Sequence, residues 1–215
     1  MATTSPDNAW SPDSVDPYKL TVDLAAMQAS VQAALVARVK YFSGSDAARL
    51  ALAAPYLADG ITWKTTDTGI TYNREGGVWK PWESKWISYS PSSSSITVGA
   101  GTALTRYKYE AGRVRCHFRF KIGAGGNIAG TASVALPVAR AALSYPYEMS
   151  PEIGHAYDDS ATTNYILTVI ANAGSTTTVV LGYGTPNISA FLTASVPFTL
   201  AAADVYEANF TYDPA

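Results

Sequence analysis

Ten residues near the middle of the chain, Arg113-Val114-Arg115-Cys116-His117-Phe118-Arg119-Phe120-Lys121-Ile122, alternate polar and apolar without a break. Period two over that length predicts a β-strand with one face in a core and the other in water. With Ala111-Gly112 as a two-residue hairpin turn, residues 104–110 pair back onto it. Glu110 then faces Arg113, Lys108 faces Arg115 and Arg106 faces His117. On the inner side Tyr109, Tyr107 and Thr105 meet Val114, Cys116 and Phe118, a consistent set that supports the register. The outer side carries one opposite-charge pair and one like-charge pair, Lys108 with Arg115, and is left positive. Three sources compete to offset it. Acids of an adjacent strand are one, with Glu207 and Asp213 on one face of residues 205–212 and Tyr206, Ala208, Phe210 and Tyr212 on the other. Plain solvation is the second. The third is an anionic partner such as a phosphate-bearing polymer.

The same reading predicts further strands near 132–136, 153–157, 165–171, 177–182, 188–192 and 205–212, with turns at 123–127, 172–175 and 184–187. About eight strands in this region predict a β-sandwich or jelly-roll head over residues 95–215. Residues 165–171 are apolar on both faces, which fits either a subunit interface or a central core strand.

The N-terminal part has a different period. Asp16-Pro17 can start a helix that runs to about Phe42 and stops at Gly44. Leu20, Leu24, Met27, Val31, Ala34 and Arg38 follow 4-3-4-3-4 spacing, and Leu35 and Val39 widen the stripe. A helix this short is marginal alone. It packs either on its own domain or in a self-associating bundle, for which a trimer is preferred. Ser45-Asp46 can cap a second short helix, Ala47 to Ala53, ended by Pro55. Residues 60–94 then form a β connector with strands at 61–64, 70–74 and 78–79, a Glu75-Gly76-Gly77 turn, and Trp63, Trp79, Trp82 and Trp86. Residues 1–15 read as an extended arm with Trp10 as an anchor. The expected plan is therefore mainly β: arm 1–15, helical oligomerisation segment 16–59, connector 60–94 and head 95–215.

Composition narrows the function. Charged residues make up 15% of the 215, against about 25% in average proteins, and the net charge is −2. A chain so poor in charge is not built to seek nucleic acid, and it suits surfaces packed on other chains. The lone cysteine, Cys116, rules out an internal disulfide and falls on the buried side of its strand. No apolar run reaches membrane-spanning length, so no membrane insertion is expected. Met1-Ala-Thr-Thr-Ser-Pro has no leader pattern, so synthesis in a cytoplasm is expected.

Candidate chemistry is thin. His117 and His155 are the only histidines, and Asp158-Asp159 near His155 reads as loop polarity rather than a metal site. No Gly-x-Ser-x-Gly elbow is present. Asp67, Glu75 and Glu83 could supply glycosidase carboxylates only in a cleft between subunits. Gly123-Ala124-Gly125-Gly126-Asn127 lacks the Lys-Ser/Thr of a phosphate loop. Neither a catalytic residue nor a cofactor is expected. Ring faces stack on sugars, which makes the loop aromatics Tyr145, Tyr147, Tyr157, Tyr183 and Phe191 of interest.

Three segments carry a likeness. The first is Ala48-Arg49-Leu50-Ala51-Leu52 with Gly60, Thr65-Thr66-Asp67-Thr68, Tyr72 and Gly76-Gly77-Val78-Trp79. The second is the hairpin from Arg106 to Phe118, with Gly154-His155-Ala156-Tyr157 downstream. The third is Pro197-Phe198-Thr199-Leu200-Ala201-Ala202-Ala203-Asp204-Val205. In this order they resemble actinobacteriophage minor tail proteins of the tail-fibre, receptor-binding kind. The resemblance implies a homotrimeric virion protein that binds a host envelope glycan during adsorption. The trimer would form through Leu20, Leu24, Met27 and Val31, and the arm would dock on other tail proteins. Candidate glycan- or anion-contacting residues are Arg106, Lys108, Arg115, Arg119, Tyr147, Tyr157 and Tyr183. A trimeric depolymerase and a purely structural tail component are the alternatives.

Overall fold

The computed structural model describes residues 24–31, 34, 40–53, 57–91, 94–184 and 190–215. The chain falls into two compact units, Met1–Lys80 and Pro81–Ala215. The 1–15 arm, Trp10 and Leu20 lie outside the described residues.

In the first unit residues 24–31 are helical. Leu24, Met27 and Val31 are 48%, 44% and 53% exposed. The expected helix does not include Tyr41 and Phe42, which are extended; Leu35, Arg38 and Val39 lie outside the described residues. Instead β1 (Tyr41–Gly44) pairs in parallel with β2 (Thr62–Thr65), which pairs antiparallel with β3 (Thr71–Glu75), and β4 (Val78–Glu83) completes a four-stranded sheet. Tertiary packing overrides the helical period. Phe42 stacks on Trp63 with ring centroids 5.9 Å apart. Gly44 passes so close that a Cβ there would sit 2.8 Å from the Trp63 ring. Gly44 therefore serves a close approach, not a helix stop. The short helix Asp46–Leu50 follows, capped by Ser45, whose hydroxyl accepts the Ala48 N–H at 3.1 Å. Its Arg49 is buried, pairs with Asp46 at 2.9 Å and lies 4.0 Å above the Tyr72 ring.

The second unit is mainly antiparallel β. Its strands are β5 (Ile87–Ser88), β6 (Ile96–Thr97), β7 (Thr102–Glu110), β8 (Arg113–Lys121), β9 (Asn127–Ile128), β10 (Ser133–Ala135), β11 (Tyr147–Asp158), β12 (Thr163–Asn172), β13 (Thr178–Tyr183), β14 (Ala190–Phe191) and β15 (Val205–Tyr212). A nine-stranded sheet runs β10-β13-β12-β11-β15-β8-β7-β5 with β14 beside β13, while β6 and β9 form a separate pair. The sheet curls until its edges meet. Just past β5, the Tyr89 hydroxyl donates to the Ala135 carbonyl at 3.3 Å, and Ser94 bridges Val134. Val114, Cys116, Phe118 and Phe120 line the inner side with Tyr206, Ala208, Phe210, Leu167, Val169 and Leu181, all buried. In β12 the run Leu167–Ile170 is buried on both faces within one chain, as a central core strand should be, whereas Ile166 is exposed.

The β7–β8 register agrees pair by pair with the alternation: Arg106 with His117, Lys108 with Arg115, Glu110 with Arg113. Ala111 and Gly112 both take positive φ, 52° and 79°, as a two-residue turn between right-twisted strands requires.

Candidate functional site

The cationic side of the hairpin is largely neutralised from within the chain. β15 lies beside β8, and its Glu207 reaches His117 at 2.9 Å and Arg119 at 3.4 Å. Asp213, just past β15, holds Arg113 at 2.8 Å. Glu110 serves both Lys108 at 3.0 Å and Arg115 at 3.5 Å, which relieves the like-charge pair. Its carboxyl is held below the usual range by the Lys108 hydrogen bond, with Arg115 adding to the effect. Arg115 also reaches Glu152 of β11 at 3.7 Å. Acids of neighbouring strands are thus the source of the offset. Glu152 was not legible in the sequence, because a register shift between Met149 and Ile153 reassigns which β11 residues face which neighbour.

Trp86 also joins this face. It is 38% exposed, with the Arg106 guanidinium 4.7 Å and the Lys108 ammonium 5.5 Å from its ring centre. Arg106 Nε donates to His117 Nδ1 at 3.1 Å. Guanidinium only donates, so Nδ1 carries the lone pair, and Nε2–H is the donor to Glu207. Arg106, His117 and Glu207 thus form a hydrogen-bond chain, whereas the buried Arg115 Nε has no partner.

The predicted aromatics do not converge. Tyr157, opposite Val205 and Asn164, alternates with inward Ala156 and so shares the outward side with the cations. Tyr183 ends β13 opposite Leu167, on the core side. Tyr147 lies across the β11 irregularity, opposite Asn172.

A different place has the shape of a binding site. At one end of the curled sheet a cleft of about 400 Å³ opens between residues 140–145 and the ends of β12, β13 and β15. Its floor is apolar, made by Val169, Val179 and Phe210, with Tyr212 beside them. Around the mouth stand Tyr145, Glu148, Arg113 and Asp213. Tyr145 is 76% exposed, the most exposed aromatic among the described residues. The volume falls in the range of small-molecule and sugar sites, which are concave and apolar with a few polar groups.

Arg140 forms part of the wall and is only 2% exposed. Its guanidinium donates to the carbonyls of Ala141 (2.9 Å), Ser175 (2.6 Å) and Asn172. These bonds tie Arg140 to the turn after β12. The Arg140 Nε has no partner. The sequence did hold a trace of this site: Arg140 interrupts the apolar run Leu136-Pro137-Val138-Ala139-Arg140-Ala141-Ala142-Leu143. A charge set among apolar residues is buried for a reason.

Three other candidates, Asp67, Glu75 and Asp158, have structural partners. Asp67 accepts the Asp46 N–H at 3.0 Å, and its carboxyl is lowered chiefly by that bond. Glu75 pairs with Lys80 at 3.2 Å. Asp158 accepts the Ser160 hydroxyl at 2.6 Å and the Ala161 N–H at 3.1 Å, so it caps the turn beside exposed His155. Burial pushes the Cys116 thiol up to about 12, which leaves it protonated and unreactive. Among the described residues no group of three His, Cys, Asp or Glu could hold a metal ion, and no helix is long and apolar enough to cross a membrane. No family model, curated protein or solved structure matches the chain.

Proposed function

We propose that the chain is a tail-tip component of a phage virion, a homotrimer whose sandwich-like, jelly-roll β unit binds a host envelope glycan. The observation that carries the glycan reading is the cleft of about 400 Å³, with an apolar floor and Tyr145 standing exposed at its mouth. A pyranose presents an apolar face and a polar edge. Tyr145 offers a ring for the first, and the Arg113–Asp213 pair and Glu148 offer hydrogen bonds for the second. The exposed Leu24, Met27 and Val31 at helical spacing support self-association, and repetition of the cleft would convert weak sugar contacts into avidity. The virion assignment rests on the resemblance of the three sequence segments to minor tail proteins.

The test uses the fluorescently labelled full chain on actinobacterial cells. Binding should be competed by soluble envelope polysaccharide and should fall about tenfold or more with Tyr145→Ala. Undiminished binding by that variant refutes the cleft as the contact.

One observation favours a second reading. Glu148 and Asp213 line the same cleft, and paired carboxylates across a sugar are what a glycosidase uses. Loss of polymer viscosity on incubation, abolished by Glu148→Gln, would establish the depolymerase. Asp213 is already engaged by Arg113 at 2.8 Å, which disfavours it as a free base or nucleophile.

A further inference from the structure

We infer that the cleft selects saccharides bearing an anionic group, a carboxylate or a phosphate, over neutral ones. The inference rests on the glycan reading above and goes to its specificity.

The two buried arginines of the chain's described residues differ in their partners. Arg49 is 7% exposed and has the Asp46 carboxylate at 2.9 Å. Arg140 is 2% exposed, and among the described residues no carboxylate lies within 4 Å of it. Its carbonyl partners satisfy N–H groups but carry no net charge. The Arg140 charge is therefore uncompensated in a wall of low dielectric, where charge acts over longer distances than in water. The Nε–H without an acceptor adds to the deficit.

Arg113 at the mouth supplies the direct contact. It uses Nε on Asp213, and its side chain is half exposed, which leaves the two terminal nitrogens as donors suited to a carboxylate or phosphate. Asp213 cancels one unit of positive charge. The remaining acid, Glu148, is exposed, so water screens most of its field. The buried charge of Arg140 then dominates the cleft. The aromatic mouth and apolar floor receive the sugar body, and the two arginines receive its charge.

The test titrates the full chain by calorimetry with three probes: galacturonic acid trisaccharide, maltotriose 6-phosphate and maltotriose. Both acidic probes should bind about tenfold or more tightly than the neutral one, and the difference should shrink with salt. Glu148→Gln should raise the acid-to-neutral preference about threefold, because it removes the opposing charge from the mouth. Arg140→Gln should abolish the preference. If that variant fails to fold, having lost three carbonyl bonds, Glu148→Gln decides. Arg119→Gln, on the outward β8 face, should leave the preference unchanged. A preference for one acidic probe alone identifies the source of the charge and upholds the inference. Equal binding of acidic and neutral probes overturns it and leaves the glycan reading standing. A preference lost in Arg119→Gln overturns it in favour of the β7–β8 face. Absence of binding by all three probes overturns both the inference and the glycan reading.

Discussion

Ala111 is at odds with its position, as are Thr162 and Ala203, the other non-glycine residues at positive φ among the described residues. Ala111 sits at φ 52° in the turn between β7 and β8, where an L side chain is strained and Asn or Gly is favoured. Ala111→Asn would create the Asn-Gly pair that such turns prefer. It should stabilise the protein by about 0.5–1 kcal/mol, read as a rise in the urea midpoint at constant slope. An unchanged or lower midpoint would mean the turn carries no strain. The sequence announced this turn through Gly112 and the flanking alternation. It could not announce Arg140 as a cleft wall, because the three carbonyls it binds come from positions 141, 172 and 175, which only folding brings together. Tyr145 was visible as a loop aromatic, but its place at a mouth depends on the same long-range contacts.

At the scale of elements, legibility follows the period of the pattern. β7, β8 and β15 alternate cleanly, and their register and inner faces could be derived residue by residue. β1 could not. In the sequence Tyr41 and Phe42 read as the end of the helix and Gly44 as its stop, and the Phe42–Trp63 stack and the parallel pairing to β2 make the segment a strand. β11 was half legible, since its irregularity breaks the period just where Glu152 turns toward Arg115. The outward face of the large sheet now reads as a lattice of ion pairs and hydrogen bonds tying β7, β8, β11 and β15 together. Glu207 is its hub, because it serves both the buried His117 and Arg119. Glu207→Ala leaves the His117 Nε2–H without its acceptor and should cost about 1–3 kcal/mol. Chemical denaturation checks this. A loss below about 0.3 kcal/mol would mean the pairs on this face are ornamental surface bridges.

At the scale of the whole molecule, the low charge content and the exposed helical stripe belong together. Leu24, Met27 and Val31 lie one turn apart and open to solvent in the single chain, and apolar rows of that kind are covered in stable assemblies. Light scattering should give three times 22.8 kDa. Met27→Asp with Val31→Asp should release monomers whose β unit keeps its circular dichroism. A stable wild-type monomer would refute the trimer while leaving the cleft untouched.

The most direct measurement is hydrogen–deuterium exchange on the full chain with and without galacturonic acid trisaccharide. Protection should appear at residues 140–148 and at the ends of β12 and β13 that border the cleft, with β7 and β8 unaffected at residues 102–110 and 115–121. Protection confined to those β7 and β8 residues, or absent everywhere, would contradict glycan binding at the cleft.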